Sequence, residues 1–122
     1  MKKIYLAIPY SNIEPSSYFQ ATRATALIMK ESKGMYNVFS PITHSHPLKD
    51  YGLPTDWNFW QKVDFQFLEW ADEVWVIIPD EGTYLVEQSK GVQAEIKYAE
   101  EHNMLVKTYT YADLKAFITK FK

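Results

Sequence analysis

Two unbroken apolar runs dominate the hydrophobic pattern of the chain. They cover residues 4–8 and 74–78, and each ends at a proline. Apolarity without alternation is typical of strands that are covered on both faces. The two runs therefore predict central strands of a parallel sheet, and residues 36–39 and 104–108 are weaker candidates of the same kind.

Helical periodicity fills the intervals around these strands. The predicted helices are residues 17–33, 55–70, 89–102 and 111–121. Gly34 follows the first as a stop signal, and Thr55 opens the second as a capping residue. The order β-α-β-loop-α-β-α-β-α predicts an α/β fold, an open and mostly parallel sheet with helices on both faces. Such a flavodoxin-like or Rossmann-like three-layer sandwich would take up residues 1–122 as a single domain.

Ligands of such folds bind at the carboxyl ends of the strands, near the point where strand order reverses. Three segments are therefore predicted to surround a site: residues 9–17, 40–55 and 79–91. The second of these, residues 40–55, is predicted to be the longest loop.

Composition narrows the function. With 47% apolar and 16% aromatic residues the chain is predicted to fold. The absence of cysteine excludes a disulfide framework, a thiolate zinc site and a cysteine nucleophile. The net charge of −2, with acids and bases interspersed, argues against nucleic-acid polymers as partners. The first apolar run is too short for export or for a membrane span, so we expect a cytoplasmic protein.

Two carboxylates fall on the apolar stripes of predicted helices. Asp64 lies four residues after Trp60, and Glu95 lies three residues after Val92 and four before Ala99. Helical spacing turns both acids toward the core, where an unpaired carboxylate costs several kcal/mol. Two such acids on neighbouring helices suggest a shared polar pocket. The alternative is that each acid lies at a rim and its oxygens reach water.

Other candidates for binding lie at the predicted sheet edge. Ser89 and Gly91 open the helix of Glu95 and could form an anion site, although capping alone would also explain the serine. Pro9, Tyr10 and Ser11 follow the first strand and lack the glycines of a dinucleotide or phosphate-binding loop.

His44 and His46 lie two residues apart, but no third metal ligand is evident, so we predict no metal site. Lining of a pocket is the alternative role for this loop. The dense aromatic residues of segment 57–75 are predicted to lie mostly in the core or at a subunit interface. One or two of them could stack a base, but none is assigned a role.

Several motifs stand in a characteristic order along residues 4–107. They are Ile-Tyr-Leu-Ala-x-Pro-Tyr-Ser at 4–11, Phe-Ser-Pro at 39–41, Ser-His-Pro at 45–47, Trp60 with Asp64, Ala-Asp-Glu-Val-Trp-Val at 71–76, and Ser-x-Gly-Val-x-x-Glu at 89–95. Together they resemble the nucleoside 2-deoxyribosyltransferase superfamily, specifically a small bacterial and phage branch of it.

The resemblance implies roles for individual residues. Glu95 would be the nucleophile on the anomeric carbon of the sugar, Tyr5 would orient it, and Asp64 would contact the base. Ser89 stands where the transferases carry an aspartate and where related 5′-monophosphate N-glycosidases carry serine, so it implies a phosphate on the substrate. The segment after the first strand is Gly-Ser in those hydrolases and Pro-Tyr-Ser at residues 9–11 here. Of this segment, only Ser11 is therefore a candidate for a second phosphate ligand.

The resemblance also implies an enzyme without a cofactor that acts as a homo-oligomer on a nucleoside or nucleotide. Gly91, Tyr10, Pro9 and His46 would line the substrate site. Nothing after Tyr109 matches the segment by which the transferases complete a neighbouring subunit's site. The expected reaction is cleavage of the N-glycosidic bond of a nucleoside or its 5′-monophosphate. Base exchange between nucleosides, or a non-catalytic nucleotide- or ADP-ribose-binding module, are the alternatives.

Overall fold

Four parallel strands form a single sheet in the order β2-β1-β3-β4. The computed structural model describes residues 1–121, so Lys122, the last residue of the predicted domain, lies outside the described residues. The strands are β1 (Lys2–Ala7), β2 (Tyr36–Phe39), β3 (Glu73–Ile77) and β4 (Leu105–Tyr109). Each predicted strand lies within two residues of the observed one, and the predicted α/β class is confirmed.

The helices are α1 (Glu14–Glu31), α2 (Pro41–Ser45), α3 (Trp57–Trp70), α4 (Tyr84–Gln88), α5 (Lys90–Glu101) and α6 (Tyr111–Ile118), with 3₁₀ turns at His46–Tyr51 and Thr119–Phe121. Within the described residues, no helix is both long and apolar enough to cross a membrane.

The prediction of a long loop over residues 40–55 is wrong, because α2 and a 3₁₀ turn occupy most of it. The local cause is a helix start: the Ser40 side chain accepts a hydrogen bond from the backbone N–H of Thr43, and Pro41 takes the first helical turn. The predicted cap of the next helix was also wrong by one residue. Asp56, and not Thr55, caps α3 by accepting a hydrogen bond from the N–H of Phe59.

The sheet separates two apolar cores, as a three-layer sandwich requires. One face of β1 presents Ile4 and Leu6 to α1 and α6, and the other presents Tyr5 and Ala7 to α3, α4 and α5. Because side chains alternate along a strand, a continuous apolar run supplies both cores at once.

The order of the strands locates the binding edge. From β1 the chain moves outward to β2, then crosses back over β1 to β3 on the other side. The reversal therefore lies between β1 and β3, whose carboxyl ends lead into Ile8 and Ile78. A crevice is expected outside these two strand ends.

Candidate active site

A cavity of about 330 Å³ opens at this edge of the sheet, within the range of small-molecule sites. Its walls come from the β1–α1 loop, the segment after β2, the inward face of α3 and the first turns of α5. Eight of the nine predicted site residues line it: Pro9, Tyr10, Ser11, His46, Asp64, Ser89, Gly91 and Glu95. The ninth, Tyr5, lies beneath its floor.

Tyr5 reaches Glu95 across the packing between sheet and helix. The Tyr5 side chain is fully buried on the face of β1 that α5 covers. Its Oη donates a hydrogen bond to Oε2 of Glu95, whose side chain is also buried. A phenol that is fixed in a strand and donates to a carboxylate holds that carboxylate in one orientation.

Asp64 faces the same cavity from α3 and has less support. Only 6% of the residue is exposed, and its Oδ1 has no hydrogen-bond partner among the described residues. Burial raises the pKa of Asp64 to about 7. A buried oxygen without a partner costs free energy, and such atoms occur where a ligand supplies the missing contact.

The environment of Glu95 opposes its ionisation as well. Burial raises the pKa of Glu95 to about 8, although the Tyr5 hydrogen bond acts in the opposite direction and favours the charged form. The nearby charge of Asp64 adds to the increase. The two carboxyls therefore titrate as a coupled pair.

A third buried acid shows what an acid with a structural role looks like in this fold. Glu73 lies at the start of β3, where Lys2 Nζ is 2.7 Å and Lys107 Nζ is 3.8 Å from its oxygens. Trp75 Nε1 donates to it at 2.9 Å. Burial opposes ionisation, but these partners outweigh it and lower the pKa of Glu73. Among residues 1–121, no cation forms an ion pair with Asp64 or Glu95, a difference typical of acids with a chemical role.

The first turn of α5 forms another wall of the cavity. Ser89 caps the helix, and its Oγ accepts a hydrogen bond from the N–H of Val92 at 3.2 Å. The hydroxyl hydrogen of Ser89 is not used by this cap and can be donated to a ligand. The amides of Lys90 and Gly91, at the start of the helix, have no acceptor within it.

The opposite wall is fixed by the β1–α1 loop. Ser17 Oγ donates to the carbonyl oxygen of Pro9 at 2.6 Å and ties the loop to α1. Tyr10 Oη lies 2.6 Å from His46 Nδ1, and the His46 ring stacks on Tyr18 with centroids 4.6 Å apart. The loop and the segment after β2 are thus joined at the cavity wall.

A family model described as a domain of unknown function (DUF1937) matches residues 2–111, which include all four strands and every residue of the cavity wall. The chain belongs to this family. No protein of curated function matches the sequence.

Among solved structures, a 2-deoxyribosyltransferase from the psychrotolerant bacterium Bacillus psychrosaccharolyticus is similar to this DUF1937 chain. The TM-score is 0.56 and the identity 24%, and the match covers 88% of this chain and 72% of the other. The likeness shows a common fold. The fold that the sequence resemblance implied is therefore confirmed.

The two histidines of the DUF1937 chain face different surroundings. His46 lines the cavity, whereas His44 lies outside it and packs near Phe39 and Phe67, with centroids 5.7 Å and 6.5 Å away. Within the described residues, no group of three or more His, Asp or Glu side chains gathers where a metal could bind.

Sequence reasoning missed several lining residues. Trp57 and Trp60, to which the sequence pattern assigned no role, line the cavity with Asp64. Trp60 lies three residues after Trp57, and Asp64 lies seven after it, so the three side chains share one helical face. This spacing could have indicated that the tryptophans line the site. Lys49 and Lys90 also line the cavity, and no periodicity indicated them.

Proposed function

We propose that this cavity cleaves the N-glycosidic bond of a nucleoside or a (deoxy)nucleoside 5′-monophosphate, with Glu95 as nucleophile. The observation that carries the proposal is the buried Tyr5–Glu95–Asp64 group, in which one acid is oriented by a phenol and the other has an unpartnered oxygen. Two carboxyls with raised pKa in one cavity are typical of sites that transfer a glycosyl group.

In the first step, the Glu95 carboxylate attacks the anomeric carbon of the sugar. The carbon–nitrogen bond breaks, and its electron pair goes to the leaving base. Asp64 donates a proton to the base as it leaves, and an ester between Glu95 and the sugar remains. Tyr5 holds Glu95 in place and favours its charged form before the attack.

In the second step, water attacks the anomeric carbon of the ester. The ionised Asp64 accepts a proton from the water, the bond to Glu95 breaks, and free sugar or sugar phosphate leaves. Both carboxyls then return to their starting protonation states, so the two reaction steps need no cofactor.

This mechanism requires one proton on the pair, located on Asp64. The pKa of Asp64 is raised to about 7 and that of Glu95 to about 8, so the pair carries one proton between these values, and the form with that proton on Glu95 is the major one. The productive form, with the proton on Asp64, is the minor one. The hydrogen bond from Tyr5 favours the charged form of Glu95, which increases the share of the productive arrangement.

Base exchange is the second candidate, and the fold it shares with a 2-deoxyribosyltransferase favours it. In that reaction a second base, instead of water, attacks the glycosyl-enzyme. The proposed roles of Glu95, Asp64 and Tyr5 are the same in both reactions.

The test measures, by chromatography, the release of free base from a panel of nucleosides and their 5′-monophosphates. Glu95→Gln keeps the size of the side chain and its contact with Tyr5 but removes the nucleophile, so we expect release to stop. Glu100→Gln, at an exposed position of the same helix, is the matched control and should retain activity. Equal release by the parent and Glu95→Gln would contradict the proposal.

An acceptor base separates the two candidate reactions. If a new nucleoside forms at the expense of free sugar when a second base is added, exchange is the reaction. Intact-protein mass spectrometry after an acid quench should show the sugar or sugar phosphate attached to the parent and absent from Glu95→Gln. Binding of a nucleotide without product would identify a non-catalytic module.

A further inference from the structure

Two lysines line the cavity without an ion pair among the described residues. Lys49 and Lys90 both line it, and neither forms an ion pair within 4.0 Å in the part of the chain that the structure describes. The chain as a whole has 15 acids and 13 bases. Two unpaired cations at the wall of one cavity give it a positive region that the net charge does not suggest.

The two lysines belong to different elements of the cavity wall. Lys90 is the first residue of α5, next to the Ser89 hydroxyl and the free amides of the first turn. Lys49 belongs to the 3₁₀ turn that begins at His46 and lies close to that ring: after burial, its charge is the largest influence that lowers the pKa of His46. Glu14 and Asp50 also act on His46 from nearby, but neither lines the cavity.

An independent observation shows that the same cavity is built for a ligand. Asp64 lines it and is more than nine-tenths buried, and its Oδ1 has no hydrogen-bond partner among residues 1–121. The cavity therefore combines two acids that favour a neutral, proton-accepting group with two lysines that favour an anion. A nucleoside 5′-monophosphate has both features in one molecule.

We propose that Lys49 and Lys90 form a cationic clamp that binds the 5′-phosphate of the substrate and so selects nucleoside monophosphates over free nucleosides. This inference rests on the proposed function and deepens it. Ser11 and Ser89, which line the same cavity, supply hydroxyl donors. A free nucleoside would leave both lysines without an anion, whereas a phosphate accepts charge-assisted hydrogen bonds from them.

The first experiment measures binding alone, with Glu95→Gln as the background so that no substrate is consumed. Calorimetric titration compares a deoxynucleoside 5′-monophosphate with the corresponding nucleoside. We expect Lys49→Gln and Lys90→Gln each to weaken binding of the monophosphate about tenfold and to leave nucleoside binding within about twofold. Lys97→Gln, at an exposed position of α5 away from the cavity, is the control for general loss of positive charge.

The second experiment uses the active protein. Inorganic phosphate should inhibit release of base from the monophosphate competitively in the parent, and much less in the Lys49→Gln, Lys90→Gln double variant. The kcat/KM of the double variant should fall further for the monophosphate than for the nucleoside. The preference of the parent for the monophosphate over the nucleoside should also decline with added salt, because salt screens exposed charges.

The two proposals can fail separately. Absence of base release from every substrate would contradict the reaction, while the binding titration would still decide the clamp. Loss of affinity that is equal for monophosphate and nucleoside, or no loss beyond that of Lys97→Gln, would overturn the clamp.

Discussion

The ionisation of Asp64 in the folded protein gives the sharpest test of the site, because it predicts a pH-dependent effect of one substitution. Asp64→Asn keeps the size and shape of the side chain and removes the charge. The Asp64 carboxyl is buried, and in the part of the chain that the structure describes its Oδ1 has no partner and no cation pairs with it. We therefore expect Asp64→Asn to stabilise the protein at alkaline pH while it stops release of base.

The magnitude follows from the pKa. Burial raises the pKa of Asp64 from an ordinary value of 3.8 to about 7. Between these values the folded state keeps a proton that the unfolded state has released, so the stability of the parent falls as pH rises. The fall is about 1.4 kcal/mol per pH unit over roughly three units, or up to about 4 kcal/mol in total. The penalty is complete above about pH 7, and an asparagine does not have it.

The assay is urea denaturation of the parent and of Asp64→Asn, at pH 4 and at pH 8 in buffers of equal ionic strength. The free energy of unfolding of the variant relative to the parent should rise by about 2–4 kcal/mol from the lower to the higher pH. Glu69→Gln, at an exposed position of α3, is the control and should show no comparable change. The same relative stability at both pH values would mean that water solvates the Asp64 carboxylate, and the raised pKa would be refuted.

Three further outcomes follow from the same contacts. The kcat/KM should have a bell-shaped pH profile with limbs near 7 and 8, the raised pKa values of the Asp64–Glu95 pair; activity that stays constant from pH 5 to 10 would contradict this. Tyr5→Phe removes the donor to Glu95, so the maximal rate should fall about tenfold and the alkaline limb should move to higher pH, measured from full profiles. Glu73→Gln weakens the contacts to Lys2 and should lower the free energy of unfolding by roughly 1–3 kcal/mol, measured by thermal unfolding. The rate at saturating substrate should stay unchanged, and a loss of rate in the folded variant would connect Glu73 to the site.

Part of the architecture could be predicted because it depends on local pattern. Unbroken apolar runs identified β1 and β3, and helical periodicity in the intervals identified the crossover helices. The short helix α2 was missed, although Ser40 followed by Pro41 is a local start signal. Its five residues are too few to show a period, so pattern alone favoured a loop.

The sequence by itself determined the direction of each side chain within its own element. Helical spacing turned Asp64 and Glu95 toward the core, and both are buried. Spacing within one helix says nothing about which helices become neighbours. Tertiary structure decided that α3 and α5 cover the same face of the sheet, and that Tyr5 of β1 lies beneath them within reach of Glu95.

The charge of the site was also decided only by the fold. Nothing in the sequence separates Lys49 and Lys90 from the other lysines, since each gains its meaning from the cavity it lines. The ionisation of a buried acid depends in the same way on its surroundings. Lys2 and Lys107 lower the pKa of Glu73, whereas burial without a cation raises that of Asp64. Pattern can predict that an acid is buried, but only the packed structure determines which charges surround it.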